Sequence, residues 1–574
     1  MLVFFDETNS ERKTQLNREI KSLIQTLTGR ADTFDFRIYF SEVFRKNHGF
    51  DVVIGNPPYV RQEQIKHLKD QLEKRYECYT GTADLYIFFY ERGLNLLREH
   101  GVLTYISSNK WFRAAYGKKL RQFITRETQL QQIIDFGDAP VFAAIAYPTI
   151  VITQKGKPET QTFHALNWEM GQSISQFETV VQSQSFTMPQ QVLTAEGWQF
   201  ADTTALNLLE KLRQAGTPLG EYVQNRFYYG IKTGFNEAFV VDRPTRDRLI
   251  AEHPSSAEVL KPFLRGRDVK RWSVDYADLY LIKIESSENK QHPWTGKAKS
   301  EAEQVFAQTY PAIHNRFSQA ELRETLIKRS DQGRFFWELR SCVYWQEFER
   351  SKIIYPDIYE HQSFAVDINN FFSGNTCYFI PTNELWLCGL LNSKIIEWFY
   401  RNISNSVRGG YLRAFSNYIK QIPIPPASDR DKAEIQALVG YVLYLTAQLK
   451  DIPSYGENLM TVADDKLMLS YFEQIIDAVV MELYLPNELH THDKYFMRHL
   501  LQENLPSLDK IKNDKMPTLR SIFQRLFDRE HPIREGIFFL DSVPIVRTIR
   551  GLKRESPKSH SNISEPSMQS MRST

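Results

Sequence analysis

Two consecutive prolines, Pro57 and Pro58, interrupt the chain immediately after the apolar run Val52-Val53-Ile54-Gly55. Neither can donate a backbone hydrogen bond, and the first biases Asn56 toward an extended conformation. Phe50 to Val60 therefore reads as a short buried strand that stops abruptly in a rigid loop, Asn56-Pro57-Pro58-Tyr59. In open α/β sheets, reaction and ligand sites gather at the carboxyl ends of strands, which is where this loop would lie.

The chemistry that suits such a loop is transfer of a group to a planar amine. The Asn56 side-chain oxygen and a backbone carbonyl of the proline pair can accept the two hydrogens of an exocyclic NH2. That grip aims the nitrogen lone pair at an electrophile without a strong base. Tyr59 adds a ring face on which a base can stack, an interaction worth roughly 1–3 kcal/mol in single-strand binders. Asn and Pro are also ordinary turn residues, so a plain turn is the competing reading. Proline averages only about 5% of residues, and a doubled proline between Asn and Tyr, straight after a strand-like run, favours the site.

Ile54 to Tyr59 resembles motif IV of the amino-methyltransferases that modify adenine N6 in DNA. The text downstream resembles the TaqI-like, type IIG restriction-modification branch of that family. The motif is shared with enzymes acting on RNA bases and on protein glutamine, so it fixes a reaction type better than a substrate. The resemblance implies an adenine-specific transferase that uses S-adenosylmethionine and double-stranded DNA, with Asn56, Pro57, Pro58 and Tyr59 catalytic. In TaqI-like enzymes an aromatic residue before the last strands stacks on the second face of the flipped base. Phe142 matches that position, and a core phenylalanine is an equally simple reading of it.

With 574 residues the chain has room for three or more domains. A net charge of +2 and a pI near 8.1 neither demand nor exclude nucleic acid, so any basic surface must be local. Cys78, Cys342, Cys377 and Cys388 are scattered without a Cys-x-x-Cys, which argues against a disulfide framework and structural zinc, and no metal is expected. No signal peptide and no apolar run of transmembrane length occurs, and a cytoplasmic protein is the default expectation.

Residues 1–49 form a lead-in. Leu16, Ile20, Leu23, Ile24 and Leu27 recur at helical spacing over residues 10–28, Gly29 offers a C-cap, and Phe34 to Phe44 reads as extended. From 50 to 157, strand and helix signals alternate. A helix spans Thr82–Leu97 and a strand Val102–Ile106. A basic helix from Tyr116 to Thr125 is followed by strands at Gln132–Phe136 and around Pro148–Ile152. The alternation predicts a doubly wound sheet, the catalytic half of a methyltransferase domain. The family holds its cofactor on a Gly-rich turn after the first strand, with an acidic residue after the second on the ribose. Among the 26 glycines no two are separated by a single residue, so no Gly-x-Gly exists. Each strand–helix unit needs about 30 residues, and family order places up to three of them upstream of motif IV. The expected fold is therefore a partial Rossmann-like sheet lacking its first strands and cofactor motif. A longer reading frame or a second chain would supply them, and a highly diverged cofactor site within this chain is the remaining alternative.

Residues 155–200, rich in Gln, Ser and Thr, read as loops or short strands joining two domains, within a linker of 158–217, and a short helix near Leu206–Leu212 begins the next unit. From 218 to 426 the text resembles an α+β target-recognition domain. Tyr229–Asp242 reads as a glycine-punctuated hairpin with Lys232 and Asn236 near its turn, Lys352–Asp357 as a strand, and Leu390–Tyr400 as one amphipathic helix. Arg265, Arg267, Lys270 and Arg271 suit DNA phosphates, which set register and make affinity salt-dependent. Arg408 and Arg413, flanking Gly409-Gly410-Tyr411, suit guanine edges, and solvated or carboxylate-paired loop charges are the plain alternative. Residues 427–550 are helical, with helices at Ile435–Leu449 and Lys466–Leu485, and 551–574 reads as a disordered tail. Asp278 with Glu288 and Lys290 has the rough spacing of a metal-dependent nuclease but lacks the preceding proline, and such spacing is common by chance. Two functions of different classes follow: a site-specific adenine-N6 methyltransferase, or a DNA-binding specificity component without independent turnover.

Overall fold

The computed structural model of the chain describes residues 8–28, 34–137, 139, 141–142, 147–158, 162–169, 172–201, 203–404, 406–407, 411–450, 459–512 and 514–552. It is a mixed α/β protein that divides into two compact units, Met1–Asn207 with Ile403–Leu412, and Leu208–Asn402 with Arg413–Thr574.

In the first unit six strands form one sheet: β1 (Phe50–Gly55), β2 (Leu97–Ser108), β3 (Thr128–Asp135), β4 (Pro148–Lys155), β5 (Thr162–Asn167) and β6 (Phe186–Pro189). Their order is β1-β2-β4-β3-β5-β6. β1 runs parallel to β2, and β4 enters antiparallel between β2 and β3. Its helices include α1 (Ser10–Thr28), α2 (Tyr86–Leu96) and α3 (Lys118–Glu127). α2 joins β1 to β2 as a crossover, the arrangement a parallel pair requires. It buries Tyr86, Ile87, Phe88, Tyr90 and Leu94, and with Leu103, Leu130, Ile133 and Val151 of the sheet they belong to one core.

Three expectations for this unit need correction. β1 is not buried: among the described residues it pairs with β2 alone, at the edge of the sheet, and Val52 and Ile54 are 58% and 77% exposed. Phe34 to Phe44 is not extended but forms the short helices Phe36–Tyr39 and Ser41–Asn47. Asp35 caps the first by accepting from the Arg37 N–H, and the spacing Phe36, Phe40, Phe44 is helical, setting all three rings against Phe50. The short strands allowed for in residues 158–217 form as β5 and β6, but they extend the first unit's sheet rather than serve as a linker. The α1 helix forms where expected, although Leu23 on its apolar stripe is 62% exposed. Gly29, its expected C-cap, lies outside the described residues.

The second unit contains β7 (Tyr228–Tyr229), β8 (Val240–Asp242), β9 (Leu260–Leu264), β10 (Leu279–Ile282), β11 (Lys352–Pro356), β12 (Ala365–Asp367), β13 (Phe372–Ser373) and β14 (Cys377–Ile380). They form two four-stranded sheets, β13-β9-β10-β8 and β12-β11-β14-β7. Tyr229–Asp242 is therefore not a hairpin, since its two ends belong to different sheets. Between them the Thr233 hydroxyl bonds the Asn236 side chain (2.6 Å) and a turn of helix covers Asn236–Phe239. Leu390–Tyr400 is likewise two helices, α4 (Leu385–Leu391) and α5 (Lys394–Ile403). The Asn392 side chain both accepts from the Phe364 N–H (3.0 Å) and donates to its carbonyl (2.8 Å). The chain bends there, and α5 restarts with its Lys394 N–H on Asp477 (2.8 Å). Two long helices follow as expected, α6 (Asp429–Lys450) and α7 (Leu459–Tyr484).

One buried ion pair fixes the start of β11. Lys352 Nζ lies 2.8 Å from the Asp367 carboxylate, both side chains at 0% exposure, and Lys352 also donates to the Phe348 carbonyl. Asp367 accepts from the Asn369 and Phe371 amides as well, so the pair is fully satisfied. Removing one member strands the other charge away from water. Lys352→Met is expected to lower the unfolding free energy by about 3–5 kcal/mol in urea titration. A loss below about 1 kcal/mol would show that the pair does not hold this strand.

Candidate functional site

The Asn56–Tyr59 loop leaves β1 at its carboxyl end and is held from the side of α2. The Leu85 N–H donates to the Val60 carbonyl (3.0 Å) and the Gln62 N–H to Asp84 Oδ1 (3.0 Å). The two residues preceding α2 thus grip the two sides of the loop's exit. Pro57 is buried, whereas Asn56, Pro58 and Tyr59 are exposed, and Tyr59 retains 38% of its surface. Among the described residues, neither the Asn56 side chain nor the Pro57 carbonyl has a hydrogen-bond partner. A rigid loop whose acceptors are uncommitted can receive a donor without first breaking a bond.

Beneath the loop lies a layer of tyrosines. The Tyr59 and Tyr86 rings are 6.3 Å apart, the Tyr86 and Tyr116 hydroxyls bond at 2.9 Å, and Tyr90 bonds the Ser107 hydroxyl at 2.8 Å. Burial pushes the Tyr59 phenol up, and that of Tyr116 up to about 12, so the layer is uncharged at neutral pH. Burial likewise raises the Asp84 carboxyl, against the lowering effect of the Gln62 amide and nearby Lys110. Tyr105 reaches this region because Gly93 has no side chain; a Cβ there would stand 2.6 Å from the Tyr105 hydroxyl.

A cleft of 520 Å³ runs beside β1 and ends at Asn56 and Pro57, with Phe40, Phe50, Arg92 and Tyr105 among its walls. Its lining includes no carboxylate, and the expected ribose grip for S-adenosylmethionine is therefore missing from this wall.

Phe142, the expected second stacking ring, is half-buried in a bend at residues 141–142, and residues 143–146 lie outside those described. The sequence reading passed over two other residues here. Asp84 ties the loop, and its only signal was an acidic residue just before a helix. Tyr147 takes a left-handed conformation (φ 48°), accepts from the Asn109 N–H (2.8 Å), and has Lys110 Nζ 5.4 Å over its ring. An aromatic residue immediately before Pro148 at a strand start was the available cue.

In the second unit the predicted DNA-facing cations separate into two groups. Lys232 pairs with Asp331 (2.9 Å), Arg265 binds Asp268 through both Nε and Nη2, and Arg271 pairs with Glu473 (3.4 Å) while lying over the Trp272 ring. Arg413 pairs with Asp357 (2.6 Å), the carboxylate-paired alternative noted for it. Arg267 and Lys270 are exposed, carry no ion pair among the described residues, and line one cleft of 440 Å³. Tyr411 is 42% exposed, and Arg408 lies outside the described residues. Asp278 is engaged by Arg243 (3.2 Å) and Tyr280 (2.9 Å), and Lys290 by Glu285 (3.3 Å). Among the described residues no group of three or more His, Cys, Asp or Glu could hold a metal, and no helix is long and apolar enough to cross a membrane.

Comparison with known proteins matches residues 1–142 to the Eco57I restriction-modification methylase family and residues 261–424 to the TaqI-like C-terminal specificity domain. The type II methyltransferase M.BstVI of Geobacillus stearothermophilus is 26% identical over 406 residues, covering 66% of this chain and 67% of that protein. M.XhoI of Xanthomonas vasicola is 25% identical over 403 residues, covering 66% and 69%. Among solved structures, the type IIL restriction-modification enzyme MmeI in complex with DNA aligns at 15% identity with a TM-score of 0.49, over 79% of this chain and 57% of that one.

Beside the 440 Å³ cleft, His361 hydrogen-bonds Glu397 (2.8 Å), which also receives Arg401 (2.9 Å) and Lys394 (3.0 Å). Burial alone would raise the Glu397 carboxyl, but these three partners outweigh it and bring it from 4.5 down to about 2. A depressed folded-state value stabilises the protein above the unfolded value and loses that contribution as pH falls toward the folded one. The wild-type protein should therefore lose stability between pH 4.5 and about 2, and Glu397→Gln should flatten this limb of a pH series of thermal melts. An unchanged limb in the variant would rule out Glu397 as its source.

Proposed function

We propose, from a chain that belongs to the restriction-modification methyltransferases by its Eco57I-type methylase segment and TaqI-like specificity domain, that it acts in site-specific methylation of adenine N6 in double-stranded DNA. It fits the type IIG arrangement, in which one polypeptide carries both methylase and recognition parts. The observation that carries the reading is the Asn56–Tyr59 loop: rigid, exposed, anchored from α2, and with uncommitted acceptors.

The target adenine leaves the duplex at a cost of a few kcal/mol of unstacking. Asn56 Oδ1 and the Pro57 carbonyl accept its two amino hydrogens, which holds the nitrogen lone pair in one direction. Tyr59 covers one face of the base. Phe142 covers the other, as the family resemblance implies. Pro58 keeps the loop from relaxing into a strand. S-adenosylmethionine is the methyl donor this reading requires, held by a cofactor-binding segment supplied upstream in a longer reading frame or by a second chain. The lack of a carboxylate in the cleft beside β1 also favours a second reading, a DNA-binding specificity component with no turnover of its own.

Two experiments test this. In the enzyme completed with a cofactor-binding segment, Asn56→Ala should abolish methyl transfer to duplex DNA and leave DNA affinity within about threefold, because it removes a contact made only to the flipped base. Retained methylation in that variant would refute the role given to Asn56. Calorimetry of this chain alone with S-adenosylmethionine should give no binding heat, and a measurable heat would show that its own residues hold the cofactor.

Arg267 and Lys270 are the exposed cations with which this reading approaches DNA phosphates. Each phosphate neutralised contributes about 0.9 to the slope of log affinity against log salt. The double variant Arg267→Ala/Lys270→Ala should therefore reduce that slope by about 1.8 in a fluorescence-anisotropy salt series. An unchanged slope would place the phosphate contacts elsewhere.

A further inference from the structure

His361 stands in the wall of the 440 Å³ cleft that carries Arg267 and Lys270, and its side chain is 61% exposed. An exposed side chain ordinarily flips between rotamers within nanoseconds. This ring is held. Its Nδ1 donates to Glu397 Oε1 at 2.8 Å, and the Glu397 side chain is itself buried on α5. The backbone around the ring is fixed as well. Arg401 of the same helix donates to the Glu360 carbonyl, and the Ser363 hydroxyl donates to the His361 carbonyl at 2.8 Å.

The contact does little for Glu397. That carboxylate already receives Lys394 on Oε2 (3.0 Å) and Arg401 on Oε1 (2.9 Å), both from its own helix, so its charge is met without the imidazole. What the contact does is orient the ring. An ionised carboxylate can only accept, so Nδ1 carries a proton and Nε2 is the nitrogen left for a ligand. When the ring is neutral, Nε2 accepts a hydrogen bond; when it is protonated, Nε2–H donates one and brings a positive charge.

The charged groups around the ring bear on which form is used. On α5 they are Glu397, Lys394 and Arg401, with Arg401 Nη2 3.5 Å from Nδ1. In the cleft wall they are Arg267, Lys270, exposed Glu360, and Asp357, which is paired with Arg413 at 2.6 Å. Glu397 and Asp357 are thus committed to other cations, and Glu360 faces Arg267 and Lys270 as well as His361. A polyanion entering the cleft would supply the counter-charge that an imidazolium there needs.

We propose that His361 is a third phosphate-contacting residue of this cleft, beside Arg267 and Lys270, and that it takes up a proton from solvent as duplex DNA binds. The proton resides on Nε2, which donates it in a hydrogen bond to a phosphate oxygen. The inference rests on the DNA reading given above and adds to it a contact that makes DNA affinity depend on pH.

Fluorescence anisotropy of the full chain with a labelled duplex of arbitrary sequence tests it, because phosphate contacts carry no sequence information. An opposite charge within about 4–6 Å favours the protonated form about tenfold or more, so wild-type affinity should fall about tenfold from about pH 6 to about pH 8 at constant ionic strength. One added phosphate contact should also steepen the slope of log affinity against log salt by about 0.9 at the lower pH relative to the higher. His361→Gln should abolish that steepening and flatten the pH dependence, and His361→Arg, with its permanent charge, should show the steep slope at both pH values. Lys270→Ala should lower the slope equally at both and keep the difference between them. A His361→Gln chain, folded by circular dichroism, that retains the wild-type pH dependence overturns the assignment of His361. So does a wild-type salt slope that is the same at the two pH values, a result that requires no variant to fold and leaves the DNA reading in place. A wild-type chain that binds no duplex at either pH overturns the DNA reading itself, and this inference with it.

Discussion

Two prolines that cannot join a hydrogen-bond ladder set the position of everything functional in the first unit. Because Pro57 and Pro58 end β1, the loop that follows has to find its anchorage elsewhere. It finds it in the residues preceding α2, where Asp84 and Leu85 bond the Gln62 amide and the Val60 carbonyl. The anchorage leaves Asn56 and Pro57 with acceptors that no described residue takes up. Satisfied at its exit and unsatisfied at its tip, the loop is pre-organised, and binding a donor there requires little rearrangement.

The same economy appears in the second unit in a different form. Thr376 spends its carbonyl on Asp357 and its hydroxyl on Gly266, and thereby fixes the relative positions of a carboxylate and an exposed basic turn. At the far end of β11 the buried Lys352–Asp367 pair holds the strand whose last residue precedes Asp357. The polar groups that shape the cleft are thus largely committed to each other, while the cations on its rim are not. Of the cations expected to face DNA, Lys232, Arg265, Arg271 and Arg413 are engaged with carboxylates, and Arg267 and Lys270 are free of ion pairs among the described residues. One effect of these partly buried pairs is to decide which charges remain for a ligand.

Local patterns read correctly wherever a short range of residues decides the outcome. The helices at Ser10–Thr28, Lys118–Glu127, Asp429–Lys450 and Leu459–Tyr484, and the strand at Lys352–Pro356, follow from apolar spacing and terminating residues. Errors arose where partners distant in sequence intervened. Tyr228–Tyr229 and Val240–Asp242 have the text of a hairpin, but each found a better ladder in a separate sheet, against Cys377–Ile380 and Leu279–Ile282. Leu390–Tyr400 has the periodicity of one helix, but the Asn392 side chain serves the Phe364 backbone instead and breaks it. The helical spacing of Phe36, Phe40 and Phe44 was present in the sequence and outweighed by their β-favouring composition, with Asp35 the cap that should have signalled otherwise.

The sequence by itself determined the loop and its chemistry. Proline geometry, an amide side chain and a neighbouring aromatic ring act within four residues and depend on nothing remote. It also determined which residues carry charge. Only the tertiary structure decided which of those charges are cancelled, that β1 is an exposed edge, and that Asp84 rather than the loop itself supplies the anchorage. The reason is that ion pairing and strand pairing join residues separated by tens to hundreds of positions, as with Arg271 and Glu473 or Gly266 and Thr376. Such encounters are set by how the elements pack, and no local pattern encodes them.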